Sequence, residues 1–323
     1  MKSVCLIIPY FGKFPSYFDC FICSCKYNPT INWLIITDNI IENKPDNIIV
    51  KNMEFSDFCN KIQTKFDFKI SIDSPYKLCD FRPAYGYILE EEIKGYDYWG
   101  YCDMDLIFGN IRKFISEDIF IKYSKILTCG HLSLYKNDYS VNRWFMSLSP
   151  IAPKYSYINV FSSPLSFAFD EFGGKKSWGG MVKMMKNAGI KIFDKMDFDD
   201  IRQTQYSFYS RRPIKNKDYS LAEISKMPSY YSFNEGELTR HIKTDDGVIS
   251  EESLYVHFQK RNMTVASNLD VNHFVIIPNK FVRFDTEKNE LWKLSSYRTF
   301  YPPYYIRRFN NLKKKVKYIL FKK

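Results

Sequence analysis

The sequence predicts an α/β protein built on a mixed, mainly parallel sheet flanked by helices. Continuous apolar runs recur along the chain, each stopped by polar or turn residues, as in strands buried on both faces. Segments with helical spacing separate the early runs. Two carboxylates, Asp103 and Asp105, stand one residue apart directly after one such run.

The elements follow in order. Val4-Cys5-Leu6-Ile7-Ile8-Pro9-Tyr10-Phe11-Gly12 is an apolar strand ended by proline and glycine. A helix is expected from about Tyr17 to Cys25, closed by Asn28-Pro29. Trp33-Leu34-Ile35-Ile36-Thr37-Asp38-Asn39 is a second strand with a polar end, and Ile48-Ile49-Val50 a shorter third. Phe55 to Phe66 has helical spacing. Tyr85 to Ile93 reads as a helix ending near Gly95, and it leads into the strand Tyr98 to Cys102. Leu106 to Asn110 closes the turn after the aspartates. Lys125 to Tyr135 reads as a strand and its continuation, and Val141 to Asp170 gives mixed signals. Trp178-Gly179-Gly180 precedes a short helix, Met181 to Asn187, and Ile190 to Phe193 is strand-like. Tyr206 to Gly247 reads as extended and turn-rich, with Leu254 to Phe258 the last well-marked strand. In such alternating folds ligands bind at the carboxyl ends of the strands. No GxGxxG follows the first strand, so a dinucleotide-type phosphate loop is not indicated.

At 323 residues and 45% hydrophobic, the chain can bury a large core. The expected division is one catalytic-sized domain over 1–300 and a tail over 301–323. Tyrosine and phenylalanine are dense, and tyrosine suits sugar and base sites. AT-rich coding would give the same bias, so this density decides nothing alone. All eight cysteines lie between Cys5 and Cys129. Cys20-x-x-Cys23-x-Cys25 lacks a second pair or a nearby histidine and makes a poor zinc site. Neither a secretory leader nor a spanning segment is expected, which places the chain in the cytoplasm with reduced thiols.

The chemistry-bearing residues cluster at strand ends. Two aspartates one residue apart can bind a hard divalent cation, and that cation can hold a diphosphate. Asp103-Met104-Asp105 after an aromatic strand therefore points towards a nucleotide-sugar transferase. Asp38 is the candidate for the nucleoside, with Pro9, Tyr10 and Phe11 as a wall for its base. His257 is the candidate third metal ligand, and Lys260 and Arg261 are candidate cations for the phosphates. Asp170 and Glu171 form the candidate carboxylate pair facing an acceptor. Each has a plainer alternative: a core histidine for His257, a helix cap for Asp38, a cap or solvated turn for Asp170-Glu171. For Lys77 and Arg82 the plainer alternative is a surface charge. Asp197, Asp199 and Asp200 read as an exposed turn outside the site.

Taken together, these motifs resemble the GT-A-fold glycosyltransferases, and more closely a bacterial family from capsule and O-antigen loci. The resemblance rests on Pro9-Tyr10-Phe11-Gly12, Trp33-x-x-x-Thr37-Asp38, Lys77-Leu78-Cys79-Asp80-Phe81-Arg82-Pro83, Tyr98 to Gly109 and Tyr255-Val256-His257-Phe258. It implies a UDP-sugar donor, Mn²⁺ or Mg²⁺, and transfer of a hexose, galactose or galactofuranose, to a surface-polysaccharide acceptor. It implies metal binding by Asp105, by Asp103 (which also reaches the ribose) and by His257. It further implies that Asp80 and Arg82 touch the donor's sugar or ribose. A glycine usual after the histidine in some such families is absent, and Gln259 stands in that region.

From Tyr305 to Lys323 there are eight Lys or Arg and no acid, against a net charge of +11. Phe309, Leu312, Val316, Ile319 and Leu320 recur at helical spacing among them, the pattern of a basic amphipathic helix. Such a helix suits an anionic membrane surface, where a lipid-linked glycan acceptor would sit. The expected location is peripheral, at the inner face of the membrane. The competing class is a non-enzymatic nucleotide or nucleic-acid binding protein using the tail, although no nucleic-acid motif appears in the folded part.

Overall fold

The computed structural model describes residues 1–173, 179–296 and 300–320. Among them the strands, in chain order, begin with β1 (Val4–Pro9), β2 (Ile31–Thr37), β3 (Ile48–Asn52), β4 (Tyr98–Cys102) and β5 (Leu106–Phe108). Next come β6 (Lys125–Cys129), β7 (Leu132–Lys136), β8 (Ile192–Phe193), β9 (Phe198–Ile201) and β10 (Phe208–Ser210). The rest are β11 (Ser229–Asn234), β12 (Glu237–Thr244), β13 (Gly247–Glu252), β14 (Tyr255–His257), β15 (Thr264–Val265), β16 (His273–Ile277) and β17 (Lys280–Arg283).

The chain divides into two compact units. The first holds Met1–Phe14, Cys25–Met104 and Ile111–Met196; the second holds Pro15–Ser24, Asp105–Asn110 and the chain from Asp197 on. The first unit is the expected mixed, mainly parallel sheet, in the order β3-β2-β1-β4-β7-β6-β8. Strands β3, β2, β1 and β4 run parallel, and β7 turns antiparallel beside β4. Central strands buried on both faces must be apolar throughout, and Leu6, Ile7, Trp33, Ile35 and Tyr101 are almost fully buried. Gly100 lets β7 pass close by, because a Cβ there would stand 2.3 Å from the Ser133 carbonyl oxygen. Trp99 stacks on Tyr135 with ring centroids 4.6 Å apart, which locks β4 to β7.

Helices Phe18–Lys26, Phe55–Gln63 and Met181–Asn187 fall where the spacing predicts them. Trp178, read as part of the lead-in to the last of these, lies outside the described residues. The region before β4 differs from expectation. Instead of one helix over 85–93, a 3-10 helix spans Pro75–Ala84 and a short α-helix follows at Tyr85–Ile88. Pro83 removes a helical donor, and the buried Lys77 and Asp80 take partners elsewhere in the unit. The run Lys125–Tyr135 is a hairpin, β6 to β7, with an irregularity between Ile126 and Cys129 where Leu127 adopts a positive φ of 62°.

The second unit contains a four-stranded sheet, β10-β9-β14-β5, and a six-stranded one, β13-β12-β11-β16-β17-β15. Two sequence readings fail here. Asp197, Asp199 and Asp200 do not form an exposed turn: β9 carries the last two into the interior, each 2% exposed. The stretch Tyr206–Gly247 is more regular than expected, with a capped helix at Leu221–Ile224 and the hairpin β11–β12. Further strands, β16 and β17, follow β14. Their signal was present in Phe274-Val275-Ile276-Ile277 and the Pro278-Asn279 turn.

A helix spans Pro302–Leu320, with Phe309, Leu312 and Val316 exposed along it. The side chains of Lys314, Lys315, Lys317, Ile319 and Leu320, and all of Phe321, Lys322 and Lys323, lie outside the described residues. No described helix is long and apolar enough to cross a membrane.

Candidate functional site

Because β2, β1 and β4 are parallel neighbours, their carboxyl ends share one edge of the first unit's sheet. That edge carries Asp38, the Pro9-Tyr10-Phe11 segment and Asp103. Asp38 is exposed and caps no helix; its carboxylate accepts the Gly12 N–H at 3.1 Å. Asn39 Nδ2 donates to the Gly12 carbonyl at 2.8 Å, closing the two strand ends on each other. Phe11 packs edge-on against Phe55 at 5.2 Å, and Tyr10 lies 5.4 Å from Phe14.

Behind Asp103 lies a buried polar cluster organised by Arg82. Its Nη1 donates to the Gly130 carbonyl at 2.6 Å and to Asp170 Oδ2 at 3.0 Å, while Nη2 donates to Asp103 Oδ1. The guanidinium stands 5.3 Å from the centre of the Tyr101 ring. Burial opposes its charge, but Asp103 and Asp170 hold its pKa well above the usual arginine range. Neither Arg82 nor Lys77 is a surface charge. Lys77 is 3% exposed and donates to Asp80 Oδ2 at 2.8 Å and to the carbonyls of Val160 and Leu165.

Asp80 is fully buried and also accepts the backbone N–H groups of Phe167 and Phe169 at 3.0 Å each. It therefore pins the segment that carries Asp170 and Glu171. Glu171 Oε1 accepts the Gly130 N–H at 2.6 Å. A Cβ on Gly130 would lie 2.8 Å from both Asp170 Oδ2 and Glu171 Oε1, so only glycine allows this approach. Asp170 is 3% exposed, and burial pushes its carboxyl up to about 7; Arg82 partly offsets this and Glu171 adds to it.

The second unit holds the other candidates. Asp103 belongs to the first unit's part of the chain and Asp105 to the second's, with Met104 between them. Strand β14 pairs with β5 on one side and β9 on the other, placing His257 level with Leu106 and Asp200. His257 Nε2 lies 3.5 Å from Asp105 Oδ1, and its Nδ1 lies 2.8 Å from Asp200 Oδ1. The Gln259 amide stands 3.3 Å from the same Nδ1. Arg211 Nε donates to Asp200 Oδ2 at 2.6 Å.

Gln259 and Lys260 both adopt left-handed φ values, 54° and 58°, and this turn aims the Lys260 N–H at Asp105 Oδ2. Burial disfavours both charges of the Asp105–His257 pair, yet each stabilises the other. His257 is raised to about 10, by Asp105 first and Asp200 second, and Asp105 is held well below the usual carboxylate range.

Of the two candidate phosphate cations, Lys260 meets Asp105 through its backbone. Arg261 is 3% exposed; its Nη2 donates to the carbonyls of Arg202 and Gln205, and its guanidinium sits 3.9 Å from the Tyr301 ring. Sequence reasoning missed Asp200, Arg211 and Gly130. Gly130 carried a weak signal as a glycine directly before a histidine in a strand turn. Asp200 carried none, because its burial depends on residues far away in the chain.

Over residues 6–285 the chain matches a family described as a family of unknown function (DUF6625), and it belongs to that family. No curated protein matches it. Among solved structures, the crystal structure of an active-site mutant of LgtC is similar at 6% sequence identity and a TM-score of 0.38. That alignment covers 79% of this chain and 87% of the other.

Proposed function

We propose that this protein is a metal-dependent glycosyltransferase that moves a hexose from a UDP-sugar to a glycan acceptor. The observation that carries this reading is the shared strand edge with Asp38, Pro9–Phe11 and Asp103, continued in the chain by Asp105. The residues fit a divalent cation, Mn²⁺ or Mg²⁺. Asp103 and Asp105 offer hard oxygen donors one residue apart, and His257 adds an imidazole nitrogen 3.5 Å from Asp105. Bound there, the ion would neutralise the diphosphate leaving group. Asp38 takes the ribose or uracil and Tyr10 and Phe11 wall the base. Lys260 serves the phosphates, whereas Arg261, expected beside it, is buried on the Arg202 and Gln205 carbonyls and contributes by bracing the turn.

Arg82 holds Asp103 and Asp170 in register, and Asp80 fixes the segment that leads into Asp170 and Glu171. Asp170, poised near neutrality, is the group that takes the acceptor hydroxyl's proton, with Glu171 and Gly130 fixing its position. The acceptor belongs to a surface polysaccharide of the capsule or O-antigen type and is lipid-linked. The helix Pro302–Leu320 rests on the anionic cytoplasmic leaflet beside it.

Thermal unfolding with UDP-, GDP- and CMP-sugars, each with and without Mn²⁺, tests the donor. A UDP-sugar should raise the midpoint by mass action only with the metal present. A midpoint unmoved by every sugar nucleotide would overturn the reading. A metal-independent shift without turnover would favour a nucleotide-binding protein that is not an enzyme.

A further inference from the structure

Asp199 and Asp200 are consecutive residues on β9, and a strand sends consecutive side chains to opposite faces. Asp199 is consumed by structure. Its two oxygens accept from Arg240 Nη1 at 2.9 Å, from the Tyr231 hydroxyl at 2.6 Å and from the Ser210 hydroxyl at 3.1 Å. Asp200 faces the other way, towards the His257 imidazole. Its Oδ1 stands 2.8 Å from His257 Nδ1, and its Oδ2 is held by Arg211 Nε at 2.6 Å.

A carboxylate can only accept, so the 2.8 Å approach makes His257 Nδ1 the donor and fixes the plane of the ring. The register of β9 and β14, which sets His257 directly opposite Asp200, makes this pairing a consequence of the sheet. With Nδ1 committed, Nε2 is the nitrogen left on the Asp105 side, 3.5 Å from Oδ1. We infer that Asp200 is a positioning residue that commits His257 Nδ1 as a donor, so that Nε2 serves as the metal-binding atom beside Asp105. Arg211 in turn keeps Asp200 from rotating away. This rests on the metal site proposed above and extends it by a residue outside the motif. Partners of this kind commonly tune metal affinity by about 10- to 100-fold.

The test reads the metal rather than the reaction. Mn²⁺ is titrated into the full chain and followed by electron paramagnetic resonance, with spin-echo modulation reporting nitrogen bound to the ion. Wild type should show imidazole nitrogen modulation, and His257→Ala should lose it. Asp200→Ala should weaken Mn²⁺ binding about 10- to 100-fold and diminish the modulation. In the His257→Ala background, Asp200→Ala should add nothing, because it acts through that ring. Asp200→Asn keeps the volume but cannot accept from both His257 and Arg211, and it should give an intermediate loss of Mn²⁺ affinity.

Wild-type affinity and full modulation in both Asp200 variants, with Asp105→Ala and His257→Ala still defective, would overturn the role of Asp200 and leave the metal site standing. Additive losses in the double variant would show Asp200 contacting the ion itself and would also overturn it. Absence of Mn²⁺ binding in wild type would remove the metal site and this inference together.

Discussion

Asp170 in the first unit and Asp105 in the second are both buried beside a cation, yet they titrate in opposite directions. Asp170 shares one guanidinium with Asp103 and the Gly130 carbonyl, and Glu171 stands beside it, so its carboxyl rises to about 7. Asp105 has an imidazole and a backbone N–H directed at it, and its carboxyl is held well below the usual range. Burial raises both; at Asp170 the neighbouring Glu171 and Asp80 add to it, whereas at Asp105 His257 and the Lys260 N–H outweigh it. A carboxyl near neutrality can exchange a proton, whereas one that is always ionised can hold a metal. Pairs pushed apart in this way are a guide to chemical roles.

The largest test of the comparison is Asp105→Ala. A lost metal contact should reduce turnover at least about a thousandfold, or ~4 kcal/mol, as expected where a cation stabilises developing charge. Removing Asp105 should also drop His257 from about 10 towards its ordinary value, which its ring-proton shifts would show. Retained turnover, or full activity in excess EDTA, would sink the assignment.

Arg82→Ala attacks the other side. It leaves Asp103 and Asp170 without their shared cation, and breaking a buried pair costs about 3–5 kcal/mol. Urea unfolding should show a loss of this order, and Arg82→Lys should recover only part, because an ammonium cannot reproduce the planar fork. Stability equal to wild type in Arg82→Ala would show that the cluster is hydrated rather than closed.

The two halves of this comparison were unequally legible in the sequence. Asp103 and Asp105 were readable because an apolar strand and a turn flank them, and both signals are local. His257 was readable as the polar end of the strand Leu254–Phe258. Asp200 was misread because the acids around Lys195 imitate a solvated turn. Arg211 and His257, brought beside it by the pairing of β9 with β10 and β14, account for its burial. The 3-10 segment Pro75–Ala84 escaped for another reason: it turns on buried polar contacts of Lys77 and Asp80, which hydrophobic periodicity does not encode. The division into two units was also hidden, because the units interleave along the chain, one of their boundaries falling inside the Asp103-Met104-Asp105 motif.

A smaller effect separates a proton-exchanging Asp170 from a merely buried one. Its folded pKa, about 7, lies above the unfolded carboxylate value of roughly 4. Its contribution to stability is therefore fully present below about pH 4 and lost as pH rises through about 7. Asp170→Asn should remove that part of the pH dependence of unfolding. It should slow transfer at least about tenfold, ~1.4 kcal/mol, and abolish a rate limb near pH 7. Glu171→Gln should act less, through the Gly130 contact alone. An unchanged pH–rate profile in Asp170→Asn would deny it the proton transfer.

The smallest expected effect on turnover comes from the tail, which belongs to neither cluster. A chain ending at Pro303 keeps Tyr301, whose ring lies 3.9 Å from the Arg261 guanidinium, and Phe300, which bridges to Gln205. The turn that presents the Lys260 N–H to Asp105 therefore keeps its brace. Transfer to a soluble acceptor analogue should change by less than about twofold, or ~0.4 kcal/mol. Attachment should change far more, since each Lys or Arg near an anionic leaflet contributes about 1 kcal/mol and Phe309, Leu312 and Val316 are exposed for insertion. Sedimentation with anionic and neutral liposomes should show the full chain bound to the anionic ones and the shortened chain free. Equal binding of the two forms would rule the helix out as the anchor. Retention of the full chain in high salt would assign the attachment to the apolar side chains rather than to the cations, because screening weakens only the second.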